Sequence, residues 1–359
     1  MTVLQKPKKG ARILIVLHGA IGDVVRALPL AVRLKEQRPD IFLAWGVEPR
    51  SADILRGHSS IDKLYVFQRG KGVGAYLNYL RELRQGKFDI VLDLQRHIKS
   101  GATSFFSAVS RRIGFHPKSS REFNWLFNNE YIPYTEKFSS KLAQYQLFGD
   151  LLGLDRDVHL SSGLKVDRSC SERIKNLLVQ ESNTNCSGLV AVFPGSTWSS
   201  RFWLAERHAE LSERLYRQHG LVSVYIGGPG ERVFIDRVKE VCNVPLIDLV
   251  GQTALGELPA LFANVILGIG ADSGPMHIGA ACEVPLVTLW GATSALRSAP
   301  LGSEDYTISA DVACEPCYRS RCPIRDQICM QSITVDMVYH QVLRVLEKKS
   351  FVGRQSVVR

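Results

Sequence analysis

No apolar run in the 359 residues approaches the roughly 18–20 needed to span a bilayer, so the sequence offers no transmembrane helix. No solenoid-length repeat and no low-complexity segment is present, which excludes repeat architectures. The P-loop pattern GxxxxGK[ST] is missing. The nearest approach to a dinucleotide fingerprint, Gly268-Ile269-Gly270-Ala271-Asp272-Ser273, lacks the third glycine, which argues against a nicotinamide site. Basic residues form no long run and are not interleaved with aromatics, so no nucleic-acid partner is expected. The apolar stretch Ile13–Leu17 behind a basic start is short, β-branched and lacks a small-residue cleavage site. It reads as a first strand and the protein as cytoplasmic.

What is present is the composition of a soluble protein, 45% hydrophobic and 22% charged. The length suits two domains of about 150–180 residues, each able to hold its own core. A formal net charge of +10 asks for an anionic partner, and an anionic membrane face or a phosphorylated substrate meets that demand.

Strand, glycine turn and helix alternate along the chain. RILIVLHG, a helix over AIGDVVRALPLAVRLKEQRPD (Pro29 inside it) and IFLAWGV make one βαβ unit. SIDKLYVF and FDIVLDL add strands, YLNYLRELRQ and residues 140–154 add helices, and 114–135 reads as an aromatic, basic loop. Residues 155–187 are polar and make the best boundary. LVAVFPGST, a helix over 204–218, LVSVYIGGPGE and residues 265–294 repeat the grammar, and a last helix covers 334–348. The fold class is α/β: two doubly wound domains facing a cleft, residues 1–165 and 166–333, with 334–359 returning to brace the first.

Ligands of such sheets bind at strand carboxyl ends, beside helix N-termini that favour anions. Four turns qualify in the second domain: Ser196-Thr197, Gly227-Gly228, the turn holding Thr253, and Asp272-Ser273-Gly274 with His277. Arg201, a fixed cationic fork, follows the first, and together they suit a nucleotide diphosphate. Plainer readings stand beside these: Asp272 as a helix N-cap, Trp203 and His277 as core. In the first domain Gly22-Asp23 follows the first strand, and a carboxylate there suits a general base, or again an N-cap. Arg96 and Lys99 follow FDIVLDL and suit an anionic acceptor, or form a solvated turn.

Cys314, Cys317, Cys322 and Cys329 are spaced Cys-x2-Cys-x4-Cys-x6-Cys, compact enough for zinc or an iron–sulfur cluster. Structural thiols or disulfides are the other reading, and no metal is assigned.

Taken together, HGAIGDVVRALPL, DLQRHIKSG, RRIGF, FPGSTWSSRFWLAERHAEL, IGGPGE and ADSGPMHIGAACEVPLVTLWGATS resemble the heptosyltransferases, glycosyltransferase family nine, from about residue 11 to 346. The resemblance implies a GT-B fold of two Rossmann-like domains and an inverting transfer, without metal or cofactor, from ADP-heptose to a phosphorylated lipid A–Kdo acceptor. It implies Asp23, in its Gly22-Asp23 motif, as catalytic base and Lys99 on the acceptor side. It implies Ser196 and Thr197 on the diphosphate, and Asp272, Ser273, Gly274 and His277 on the donor. Gly22 and Arg96 are placed on the acceptor side, and Arg201, Gly227, Gly228 and Thr253 on the donor side, by their positions at the strand ends. A monomer in peripheral contact with an anionic membrane face is expected. The chain departs from the family's Lys-x-Trp-Pro at Arg201-Phe202-Trp203-Leu204, which keeps the charge and changes its geometry. The departure leaves open another nucleotide sugar or acceptor. A catalytically silent sugar-nucleotide-binding protein is the reading from a different class.

Overall fold

The structure, a computed structural model, describes residues 6–157, 159–181, 186–324 and 326–355, with 349–355 described by backbone alone. The chain divides between Leu164 and Lys165 into two units.

In the first unit the runs RILIV and IVLD are buried on both faces, as parallel strands covered by helices must be. Its strands are β1 (Arg12–Val16), β2 (Phe42–Val47), β3 (Lys63–Val66), β4 (Ile90–Asp93), β5 (Arg111–Gly114) and β6 (Glu130–Tyr131). They pair in parallel in the order β3-β2-β1-β4-β5-β6. Its helices are α1 (Ile21–Gln37), α2 (Pro49–Ala52), α3 (Gly72–Gln85), α4 (Ile98–Phe106) and α5 (Lys141–Leu151). Helix α1 runs through Pro29, which removes one internal hydrogen bond; burial of Val24 to Leu34 holds it in place. Arg33, 3% exposed, ties α1 to α5 through Asp150 at 2.8 Å.

The second unit begins with α6 (Arg168–Glu181), and its strands are β7 (Gly188–Phe193), β8 (Leu221–Tyr225), β9 (Leu246–Asp248), β10 (Leu267–Ala271), β11 (Leu286–Trp290) and β12 (Thr307–Ser309). The order is β12-β11-β10-β7-β8-β9, all parallel. Helices α7 (Ala205–His219), α8 (Arg232–Val241), α9 (Leu258–Phe262), α10 (Gly274–Ala281), α11 (Ala295–Ser298), α12 (Ile328–Ser332) and α13 (Val335–Gln355) complete it. Gly220 ends α7 at φ 64°, the left-handed cap that glycine takes without strain. Counted from its own first strand, each sheet has the order 3-2-1-4-5-6 of a dinucleotide-type fold. The order reverses between β1 and β4 in one unit and between β7 and β10 in the other, and these switch points are where a ligand is expected.

Among the elements hidden in the sequence are α4, β5 and β6. Helix α4 carries Ser100, Gly101, Thr103 and Ser104, residues that favour turns. Thr103 instead bonds back to the Lys99 carbonyl at 2.9 Å within the helix. Strand β5 opens on two arginines, compensated by Glu130 of β6 at 2.7 Å from Arg111 and by the Phe127 carbonyl at 2.8 Å from Arg112. β6 itself is only two residues long. The closing helix was expected on the first domain. Its described residues Val338, Val342 and Val345 instead join the second unit's core with Trp203, Leu215 and Leu289.

The described cysteines are free thiols rather than disulfides. Cys329 is buried, which pushes its thiol up; a hydrogen bond with the Met330 backbone offsets part of that, and the nearby Cys314, Cys317 and Cys322 add a smaller push. Among the described residues no group of three or more His, Cys, Asp or Glu is arranged to hold a metal ion.

Candidate active site

The second unit's switch point is built from the turns that follow β7, β10 and β11. After β7, the Ser196 hydroxyl donates to the Asp272 carbonyl, just past β10, at 3.0 Å. Arg201 Nη1 donates to the same carbonyl at 3.0 Å and to Ser196 Oγ at 3.3 Å, and lies 3.2 Å from Asp272 Oδ2. Thr293, at the mouth of β11, donates to that carboxylate oxygen at 2.8 Å. Trp198 lies under the guanidinium, 4.0 Å from its centre, so the fork is held on its flat side as well.

The Arg201 turn is braced from outside the sheet. Ser200 bonds to the Arg319 carbonyl at 2.6 Å and the Ser320 carbonyl at 3.3 Å, and Gln327 to the Ser199 carbonyl at 3.2 Å. The cysteine-bearing segment therefore buttresses the turn that carries Arg201.

The N-cap reading of Asp272 gives way. The N-cap of α10 is Ser273, Gly274 opens the helix, and the Asp272 carboxylate is turned to Arg201 and Thr293. Ser273 makes no side-chain cap bond; its hydroxyl, in a residue 8% exposed, is buried without a hydrogen-bond partner among the described residues. Trp203 is core, 1% exposed, with its indole N–H on the Ile333 carbonyl at 2.9 Å. His277 is buried on α10. Thr197 is exposed beside Ser196, and Thr253 is half-buried past β9, next to a turn in which Gly251 N–H bonds the Gly227 carbonyl at 2.8 Å.

Two residues here were missed: Thr293, which holds the Asp272 carboxylate, and Glu231. Side chains on Gly195, Gly227 or Gly228 would run into Glu231, so its carboxyl arm occupies the space over the mouths of β7 and β8. The available signal was an acid following the second strand of a dinucleotide-type sheet, where such folds place a ribose-binding carboxylate.

In the first unit Asp23 and Gly22 lie in the first turn of α1, whose N-cap is Ala20, so Asp23 is not the cap. Its Oδ1 receives Arg26 at 2.7 Å and Lys141, from the start of α5, at 2.8 Å. Lys141 was also missed, because its proximity comes from the packing of α5 on α1. Ala20 at φ 54° and Arg96 at φ 69° are non-glycine residues in left-handed backbone, one after β1 and one after β4. Such strain gathers at functional sites, where the surroundings hold it.

The structure engages Arg96 within the fold: it stacks on Phe115 at 3.8 Å and bonds Gln144 and the Ser119 carbonyl. Lys99 is exposed on the first turn of α4 and in no ion pair among the described residues. Below them lies Asp93, fully buried; burial pushes its carboxyl up, and hydrogen bonds from Asn124 at 2.6 Å, Asn128 at 3.2 Å and Gln95 N–H at 3.2 Å offset part of that. Asn124 also bonds the His97 carbonyl at 2.9 Å, so the buried acid anchors the basic turn. His18 is buried against Tyr79 at 3.0 Å and burial holds its pKa down to about 3, so it stays neutral.

Comparison with known proteins gives the chain a family. The profile of glycosyltransferase family 9 (heptosyltransferase) matches residues 76–327. The lipopolysaccharide core heptosyltransferase OpsX of Haemophilus influenzae is 25% identical over 296 residues, 81% of this chain and 82% of that protein. Among solved structures, a family 9 glycosyl transferase from Veillonella parvula matches with a TM-score of 0.83 at 20% identity, over 96% of this chain and 99% of that one. The Escherichia coli heptosyltransferase WaaC with ADP matches with a TM-score of 0.72 at 20% identity, over 93% and 99%. The two α/β units are those of the GT-B fold, and the chain belongs to glycosyltransferase family 9, the heptosyltransferases.

Proposed function

We propose that the protein transfers a heptose, with inversion, from ADP-heptose to the phosphorylated lipid A–Kdo inner core of lipopolysaccharide. The observation that carries the donor half is the Ser196–Arg201–Asp272–Thr293 constellation at the switch point of the second unit. Hydroxyls, backbone N–H groups and a braced guanidinium converge there, as an anionic diphosphate requires. Asp272 faces the sugar hydroxyls, and the unpartnered Ser273 hydroxyl gains its missing partner from the ligand. Glu231 takes the ribose hydroxyls.

As the bond from the anomeric carbon to the diphosphate breaks, charge develops on ADP; Arg201 and the N-terminus of α10 stabilise it. The acceptor hydroxyl attacks from the opposite face and passes its proton to Asp23. A single base opposite the leaving group suffices for inversion. Lys141 and Arg26 orient the carboxylate, and Lys99 meets an acceptor phosphate. Heptosyltransferases named for lipopolysaccharide core and a structure holding ADP among the relatives support this reading. In it the enzyme is a cytoplasmic monomer at the inner face of the membrane, needing neither cofactor nor metal.

The test is incubation with ADP-heptose and a Kdo-bearing lipid A acceptor, with and without chelator, read by mass spectrometry. A product one heptose heavier in both arms is expected. Transfer only from a UDP- or GDP-sugar would reject the donor, and chelator-sensitive transfer would reject metal independence.

A further inference from the structure

Helix α4 is inside out. Its buried residues are Ser100, Gly101, Thr103 and Ser104, while Ile98 is 47%, Phe105 49% and Phe106 43% exposed. Ile98, Ala102 and Phe105 stand at i, i+4 and i+7, one outward stripe on the helix. The segment packed on α4, Asn124–Phe127, adds Leu126 at 60%, and Phe123 before it is 69% exposed. Large apolar side chains gathered on one surface, rather than scattered singly, mark an interaction face.

Phe123 is held outward deliberately. Glu122 at φ 48° and Phe123 at φ 56° are consecutive left-handed non-glycine residues, a strain that persists only where surroundings enforce it. The enforcement comes from α4 itself: the Glu122 carboxylate accepts the Ile98 N–H and His97 Nδ1, each at 3.1 Å.

The rim is basic. Lys99 follows Ile98, Arg84 bonds the Phe106 carbonyl at 2.7 Å, Arg112 lies 5.5 Å over the Phe105 ring, and Arg121 precedes the strained pair. Glu122, occupied by His97, is the acid among them.

We propose that the outer face of α4 with residues 121–126 docks the first unit on an anionic lipid bilayer, aromatics entering the interface and the basic rim meeting headgroup phosphates. Apolar side chains ringed by lysine and arginine are the chemistry such an interface selects. The surface stands without the proposed reaction and rests on it only for its purpose, delivery of the β4 mouth and Lys99 to a lipid-linked acceptor.

Vesicle co-sedimentation of the full chain tests this, comparing phosphatidylcholine alone with phosphatidylcholine containing phosphatidylglycerol. Wild type should bind the anionic vesicles at least about tenfold more tightly, less so at high salt. The exposed pair Phe123→Ser/Leu126→Ser should retain the native unfolding midpoint yet lose about tenfold or more of that binding. Arg121→Glu should lose binding to anionic vesicles only. Undiminished binding by the Ser pair would overturn the proposal. So would a wild-type dimer in sedimentation that the Ser pair dissolves, since a second copy would then cover the face. Vesicle binding that persists in a protein with no heptosyl transfer would uphold the docking face and reject the reaction instead.

Discussion

Arg201 and Asp272 meet twice: guanidinium Nη1 lies 3.2 Å from the Asp272 carboxylate and donates at 3.0 Å to the backbone carbonyl of the same residue. The two side chains are 16% and 11% exposed, so neither charge is well solvated. The pair locks the β7 turn to the β10 turn at the point where the strand order reverses.

Arg201→Ala should weaken ADP binding by about tenfold or more and slow transfer by about 10²-fold, as loss of a charge-stabilising donor does. Arg201→Lys should recover only part, because an ammonium lacks the planar fork. In calorimetry and denaturation, Arg201→Ala and Asp272→Ala should couple by about 1–2 kcal/mol. Additive effects would show that the contact does not organise the site.

Ser273→Ala separates cap from ligand contact. An N-cap serine commonly contributes about 1 kcal/mol through its side chain, but Ser273 makes no such bond. The variant should keep its stability within about 0.5 kcal/mol and raise the donor KM severalfold. A lost kilocalorie with an unchanged KM would make it a cap after all.

Stability should fall on acidification from pH 6.5 towards about 3. His18 in one unit and His208 in the other are each held by burial at about 3, against an ordinary 6.5. Because the folded values are depressed, their contribution is complete above pH 6.5 and is lost as pH falls through that window. Each adds at most one proton of uptake, about 1.4 kcal/mol per pH unit. His208→Phe, placed among Trp203, Tyr225 and Phe234, should remove one such proton in denaturation at pH 7 against pH 5. An unchanged slope would contradict this.

The architecture was legible because parallel strands buried on both faces read as aliphatic runs, and each ends in a glycine or polar turn. Strand order and pairing were not, since they depend on contacts far apart in sequence. The Ser196 and Asp272 mouths could be named from the chain; Thr293 and Lys141 could not, and Glu231 was passed over although its place after the second strand signalled it. Lys141 is 118 positions from Asp23 and becomes its partner only when α5 packs on α1. Helix α4 hid for the opposite reason: its local residues favour turns, and its exposed phenylalanines invert the usual amphipathic pattern.

Asn124→Ala tests the anchoring of the turn after β4 and the acceptor role proposed for it. Asn124 joins Asp93, the His97 carbonyl and Ser100 Oγ, so its loss should cost about 1–3 kcal/mol of stability. The acceptor KM should rise severalfold while the ADP Kd stays constant. A changed ADP Kd with an unchanged acceptor KM would remove the turn from the acceptor side.

In the proposed transfer Asp23 takes the acceptor proton, and Asp23→Asn tests this with almost no change of shape. Single-turnover transfer from ADP-heptose should slow by about 10²–10⁴-fold, with the ADP Kd within about twofold of wild type. Transfer within about tenfold of wild type, at full donor binding, would contradict the assignment of Asp23 as base.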